Sequence, residues 1–206
     1  MWKINYLIIN YYLLLKKINM EYRNVTIYQT PPEQDVFRNE VQKTKNLDGD
    51  VAEVGVYQGA TAMIIREELP YKKIYLLDTF EGFPEIHESE KGHFKVGQCA
   101  TSEETVTKIF QDDNNVEIIK GVFPDTSKFL KDKKFSFVHL DTDIYIPTKT
   151  GLEFFYPRMV ENGIIIVHDY PIHPGVKLAV DEWKKDKECD MVEGSWRQFI
   201  IYKNKK

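Results

Sequence analysis

The acids and glycines of this sequence gather at the ends of short apolar runs. Glu53, Gly55 and Gly59 stand in E-V-G-V-Y-Q-G at the close of the first run, Asp78 closes the second and Gly121 follows the third. Asp141 and Asp143 follow the fourth run, and His168 and Asp169 close the fifth. In an open α/β sheet the ligand lies beyond the carboxyl ends of the strands, so these positions are where chemistry belongs. A dinucleotide-binding turn would read G-x-G-x-x-G, its second glycine letting the backbone approach a pyrophosphate. Here Val56 and Tyr57 crowd that place. Asp78 follows the turn at about the 20-residue spacing at which an acid meets a ribose, and a carboxylate can accept from both ribose hydroxyls. The pattern therefore favours a nucleoside without a pyrophosphate. The competing structural reading is a tight turn that only lets helix and strand pack.

The elements that must hold these ends can be read from periodicity. Val36, Phe37 and Val41 recur at near-helical spacing between Glu33 and about Asn46, behind Pro31 and Pro32, which predicts a helix. Val51 to Val56 reads as a strand, followed by a helix ending before Pro70 and a second strand from Ile74 to Leu77. That is the start of a right-handed βαβ unit. Glu81 to Ala100 reads as a polar loop of about 20 residues, a length usually reserved for a functional lid. A helix capped at Thr101 or Ser102 follows, then the strand V-E-I-I-K-G, the short helix D-T-S-K-F-L-K-D and the strand F-S-F-V-H-L. A helix from Thr148 to Val160, a strand from Gly163 to Val167 and a helix from Gly175 to Lys185 come next. The tail alternates around Gly194 and Ser195 as an antiparallel hairpin. The sum is an α/β fold with a mostly parallel sheet, an antiparallel edge and helices on both faces. On this reading residues 1–48 form an N-terminal helical extension and 49–206 a single domain.

Composition bounds the class. With 206 residues, 42% hydrophobic and 29% charged, the chain can bury roughly 70% of its unfolded surface in one core. Repeats, collagen-like texture and disorder are excluded. The balance of 28 basic against 32 acidic residues, net −4, argues against a nucleic-acid module. Cys99 and Cys189 make neither a disulfide framework nor a metal knuckle, and read as reduced thiols of a cytoplasmic protein. Residues 1–19 carry Lys3, an apolar stretch from Tyr6 to Leu15, then Lys16 and Lys17, like a signal peptide. The first 48 positions, however, hold no small residue suited to cleavage, and the stretch falls short of the ~20 residues that span a bilayer. A packing helix, a weak membrane-surface anchor and sequence upstream of a start at Met20 all remain open, without stable membrane insertion. An apolar N-terminus on a chain of this size also leaves room for a homodimer.

Four motifs in order carry a family likeness: Glu53-Val-Gly-Val-Tyr-Gln-Gly59, Leu77-Asp-Thr-Phe-Glu-Gly82, Val138-His-Leu-Asp-Thr-Asp-Ile-Tyr145, and Ile166-Val-His-Asp-Tyr170 with Pro174-Gly-Val-Lys-Leu-Ala-Val-Asp-Glu-Trp183 behind it. Together they resemble the macrocin (TylF-type) O-methyltransferases, over roughly Gly49 to Lys203. The resemblance implies a Rossmann-like class I methyltransferase fold of seven strands, the last antiparallel. It implies S-adenosyl-L-methionine as cofactor and a hydroxyl of a sugar or other small metabolite as acceptor. Glu53, Gly55, Tyr57 and Gly59 would shape the turn under the methionine part, and Asp78 would hold the ribose with Thr79 and Phe80 beside it. Adenine would lie near Gly121.

Asp141 and Asp169 match acids that bind a divalent cation in that family, usually magnesium. Where the family commonly shows two adjacent acids before the tyrosine, this chain has His168 and Asp169, a set that also suits manganese, iron or zinc. Such an ion could hold the acceptor oxygens and lower the pKa of the attacking hydroxyl. A base would then take the proton: His168, His139 or one of the aspartates. Asp141 and His168 are the leading catalytic candidates.

Each residue also has a plainer reading. Asp143 could cap the helix near Pro147. His139 shares a strand face with apolar neighbours and reads as a core histidine bonded to backbone. His87, His93 and His173 read as loop residues in solvent, Tyr145 and Tyr170 as packing or substrate-mouth aromatics, and Trp183 and Trp196 as core or edge aromatics. Two other functions compete: an NAD-type or nucleotide-sugar oxidoreductase on the same sheet, and a non-catalytic cofactor-binding relative.

Overall fold

The computed structural model describes residues 25–188, 190–195 and 197–204. The readings made for residues 1–19, Cys189 and Trp196 lie outside them. Seven strands, β1 (Asp50–Val54), β2 (Ile74–Asp78), β3 (Val116–Lys120), β4 (Phe135–Leu140), β5 (Met159–His168), β6 (Asp190–Glu193) and β7 (Gln198–Tyr202), form one sheet in the order β3-β2-β1-β4-β5-β7-β6. The first five strands pair in parallel, and β7 runs antiparallel between β5 and β6. The expected architecture is met, including the C-terminal hairpin.

Helices α1 (Pro31–Lys43), α2 (Ala60–Glu68), α3 (Glu103–Phe110), α4 (Tyr145–Phe155) and α5 (Pro174–Trp183) cover the sheet. Phe37 and Val41 of α1 join Met63, Ile64 and Ile65 of α2 and Val106 and Ile109 of α3 over one face. Leu152 and Phe155 of α4 and Val176, Val180 and Trp183 of α5 pack on the other. Strand β4 is buried at every position, as a strand covered on both sides must be. Helix α1 contributes fully buried side chains to the common core, although the sequence sets it apart as an extension.

Several boundaries differ from the sequence reading, each for a local reason. β1 stops at Val54, because Gly55 turns left-handed and takes Val56 out of the strand. Helix α4 starts at Tyr145 rather than Thr148, since Pro147 falls in the first turn, where amides have no helical partner to lose. It ends at Phe155 because Pro157 forbids continuation, leaving a single 3-10 turn before β5. β5 therefore begins at Met159, four residues before Gly163. The D-T-S-K-F-L segment is a 3-10 helix. Among the described residues no helix is long and apolar enough to cross a membrane.

Candidate active site

The strand order reverses between β1 and β4, and a cavity of about 420 Å³ opens at the carboxyl ends of the strands there. This is the position a doubly wound sheet reserves for ligands, and the volume lies in the range of small-molecule sites. Gly55, Tyr57, Asp78, Thr79, Gly121, Asp141, His168 and Asp169, all picked out from the sequence, line it. Glu53, Gly59 and Phe80 do not. Glu53 is fully buried behind the turn, and its carboxylate meets Nδ1 of His139 at 2.8 Å across the β1–β4 pair, where the two residues are in register. His139 is thus the expected core histidine, but its partner is a carboxylate on the next strand and not backbone. Phe80 packs into the core, and Gly59 sits at the N-terminus of α2.

Asp78 organises the turn. Its Oδ2 accepts from the backbone N–H groups of Val56 (2.7 Å) and Tyr57 (2.8 Å), and its Oδ1 from that of Phe80 (2.7 Å). The two amides that would have to meet a pyrophosphate are therefore already engaged, by a negative charge. Tyr57, Cys99, Asp143 and Asp169, all lining the cavity, have φ of 50°, 64°, 61° and 61°, an unusual concentration of left-handed non-glycine residues, of the kind that clusters at functional sites. Cys99 itself is no nucleophile: burial and the surrounding Asp143, Asp141, Asp78 and Asp169 push its thiol up to about 11.

On the β4–β5 side, carboxylates and imidazoles converge. Nδ1 of His168 lies 3.1 Å from Asp141 Oδ1 and 3.1 Å from Asp169 Oδ2. Nδ1 of His173 lies 3.3 Å from Asp143 Oδ1 and 3.6 Å from the same Asp169 oxygen. Ligand atoms of Asp141, His168 and Asp169 fall within 4.8 Å of one another, as do those of Asp143, Asp169 and His173. Yet both ring nitrogens of His168 and Nδ1 of His173 are buried without an aligned hydrogen-bond partner among the described residues. Donors that converge without bonding to each other fit a cation between them. Burial opposes a charge on His168, but Asp141 and Asp169 outweigh it and hold its pKa well above the ordinary value. Burial raises the Asp143 carboxyl, and the nearby Asp141 and Asp169 charges add to this.

The sequence reading missed four contributors. His173, placed among solvated loops, joins the cluster. Asp143 caps nothing: the N-cap of α4 is Ile144, and the cap is supplied from a distance by Glu90. Glu90 is fully buried on a 3-10 turn inside the 81–100 loop, where it accepts from the N–H groups of Tyr145 and His87 and packs against the start of α5, which Gly175 leaves open. The ring of His87 stacks on Tyr145 at 4.2 Å and Phe94 meets His173 edge-on at 5.0 Å, so this loop is a fixed wall. Tyr145 and Tyr170 face away from the cavity, toward Glu182 and Asp181. Glu90→Ala is expected to lower stability by about 1–3 kcal/mol, the cost of leaving buried amides unpaired, and to open the loop to limited proteolysis. Unchanged melting and cleavage would refute the latch.

Arg197 and Glu33 are the other two. Arg197, in the β6–β7 turn, donates from Nε to Glu33 Oε1 (2.8 Å) and from Nη2 to Glu33 Oε2 (3.2 Å), and its Nη1 lies 3.5 Å from Asp169 Oδ1. Glu33, fully buried on α1, also accepts from the N–H (2.6 Å) and hydroxyl (2.7 Å) of Thr30. Burial pushes its carboxyl up, but the hydrogen bonds from Arg197 and Thr30 more than reverse this and hold it at about 2. The T-P-P-E capping-box spelling was the available signal for Glu33. Nothing in the local pattern marks Arg197.

Comparison with known proteins settles the lineage. The macrocin O-methyltransferase (TylF) family model matches residues 35–193. This chain belongs to that family. Within it, the chain is 28% identical over 155 residues to demethyldecarbamoylnovobiocin O-methyltransferase of Streptomyces niveus, covering 68% of this chain and 59% of the relative. It is 28% identical over 156 residues to mycinamicin III 3''-O-methyltransferase of Micromonospora griseorubida, covering 67% of this chain and 61% of that one. The chain thus spans about three fifths of the length of these curated relatives. The structure of the O-methyltransferase NovP superposes with a TM-score of 0.73 at 26% identity, over 84% of this chain and 79% of NovP. The calicheamicin methyltransferase CalS11, at 18% identity and a TM-score of 0.66, shares the fold.

Proposed function

We propose that this protein is an S-adenosylmethionine-dependent O-methyltransferase, transferring a methyl group to a hydroxyl of a sugar or another small metabolite with a divalent cation assisting. The observation that carries the reading is the two-sided cavity, with an Asp78-braced turn free of phosphate-binding amides on one side and a carboxylate–imidazole cluster on the other. The names of the TylF-family relatives support it. The engaged amides of Val56 and Tyr57 count against a dinucleotide oxidoreductase.

Gly55, Tyr57, Asp78, Thr79 and Gly121 would hold S-adenosylmethionine, which when bound supplies an electrophilic methyl group. Asp141, His168 and Asp169 would hold the cation, which when bound lowers the pKa of a coordinated hydroxyl. Methyl transfer is then mainly a matter of in-line positioning, and the chain supplies rigid walls for it. Phe83, Phe94, Val122 and Phe123 supply apolar wall to the cavity. Asp143 faces the cavity beside His173, and we assign it the proton: its Oδ1 receives it from the acceptor hydroxyl while the His173 ring orients the carboxylate. His168 is enclosed by carboxylates and serves as a ligand.

Calorimetric titration with S-adenosylhomocysteine and NAD tests the reading: S-adenosylhomocysteine should bind and NAD should not, and the reverse would overturn it. Two variants sharpen the test. Asp78→Asn sets an NH2 group against either the Val56 and Tyr57 amides or that of Phe80, whichever way the amide is turned. With charge-assisted bonds worth about 1.5–3 kcal/mol each, S-adenosylhomocysteine affinity should fall about a hundredfold. Asp141→Ala should keep that affinity and lower methyl transfer by about tenfold or more. Full turnover in Asp141→Ala would remove the cation from the mechanism.

A further inference from the structure

We propose that Arg197 is a positioning residue of this site: anchored by Glu33, its guanidinium engages Oδ1 of Asp169 and so leaves Oδ2 as the oxygen presented to His168 and His173. The proposal rests on the functional reading above and adds the part that aims the cluster.

A carboxylate has two equivalent oxygens and turns easily about its last bond, so a site that needs one of them must occupy the other. Asp169 is arranged in that way. Nδ1 of His168 lies 3.1 Å from Oδ2 and Nδ1 of His173 lies 3.6 Å from the same atom, while Nη1 of Arg197 stands 3.5 Å from Oδ1. The guanidinium is itself held along another edge. Its Nε and Nη2 donate to the two oxygens of Glu33 (2.8 and 3.2 Å), a forked contact that fixes the plane of the group. Glu33 is fixed in turn, being fully buried and accepting from the N–H and hydroxyl of Thr30.

Two further observations point the same way. Asp169 has φ of 61°, a left-handed conformation that persists only where surrounding contacts determine it. Arg197 is also the only Lys or Arg among the described residues lining the cavity, where Asp78, Asp141, Asp143 and Asp169 supply the opposite charge. Its Nη2 donates to the Tyr28 carbonyl as well (2.9 Å), so one group secures both the acid and the segment from Thr26 to Gln29 that walls the cavity. A lysine carries the same charge without the planar fork and cannot reproduce this set of contacts.

The test uses the full chain, metal-free and labelled with 15N in its imidazoles, observed by NMR. In Arg197→Lys the ring-nitrogen resonances of His168 and His173 should shift together, while those of His139, paired with Glu53, stay in place. Tyr202→Phe controls for mere loosening of the hairpin, because it removes a second tie to α1, the hydroxyl bond to Glu40 (3.0 Å). It should move neither His168 nor His173. Glu33→Gln is an independent second variant. Its path to His173 runs through Arg197 and Asp169, so the His173 resonance should move there too. Mn2+ titration adds a readout of function: Arg197→Lys conserves charge, so a loss of affinity of about tenfold or more reports lost orientation. Unmoved His168 and His173 resonances in Arg197→Lys would overturn the proposal, as would equal shifts in Tyr202→Phe. S-adenosylhomocysteine calorimetry on the unsubstituted chain separates the two layers. Binding with unmoved imidazoles sinks only the role given to Arg197, and failure to bind sinks the methyltransferase reading beneath it.

Discussion

Gly55→Ala is expected to be the most damaging single substitution in this fold, costing more than about 4 kcal/mol and abolishing the cavity. Two effects combine. Gly55 has φ of +86°, a left-handed conformation that costs any residue with a Cβ about 1–2 kcal/mol. A Cβ there would also overlap the backbone carbonyl of Asp141, and the backbone at the end of β4 has no rotamer to retreat into. This close approach packs the Gly55 turn against the end of β4 at Asp141, so the strain would fall on both sides of the cavity at once. Gly92→Ala is the matched control. It has the same φ of +86° with nothing within 4 Å, and should show the conformational cost alone. Denaturant unfolding of the two variants separates the effects. Equal losses would mean that the contact with Asp141 is immaterial.

Glu33→Ala should cost about 3–5 kcal/mol, the usual price of removing one partner from a buried ion pair. The loss removes the acceptors used by the Arg197 guanidinium and by both donors of Thr30. Glu33→Gln keeps the acceptor geometry in part and should fall between the two. A double-mutant cycle with Arg197→Ala should return a coupling of more than about 1 kcal/mol, because the two side chains share one network. A coupling near zero would show that the pair is incidental. Cofactor affinity offers a second readout, since Arg197 also stands beside Asp169 and lines the cavity.

How far the sequence reached depended on what kind of signal each residue carries. Strand ends were legible because apolar runs stop at acids or glycines, and Asp78, Asp141, His168 and Asp169 all arrive in the cavity from that pattern. Helix limits were missed where proline acts by position: Pro147 sits inside a first turn and Pro157 ends the helix. The destination of Glu53 was missed because its partner His139 lies on β4, and pairing between strands is set by register that no local pattern spells out. Glu90 and Arg197 were invisible for a related reason. Each is a charge in a loop with a deciding partner far away in sequence, Tyr145 for Glu90 and Glu33 for Arg197, and a charge in a loop ordinarily points to water. His173 needed the left-handed turn at Asp169 to bring it back over the sheet.

The tie between α1 and the last hairpin also dictates an order of assembly. Glu33 and Arg197 are separated by 164 residues, and Gln198 Nε2 and Tyr202 Oη reach the same helix through the Glu33 carbonyl and the Glu40 carboxylate. During synthesis the five parallel strands can be paired while the hairpin is still being made, but the wall behind His168 stays open until residues 197–202 arrive. Completion of the cavity wall is therefore a late event in the life of the chain. Cofactor binding to nascent or C-terminally shortened chains would report on closure of this last contact.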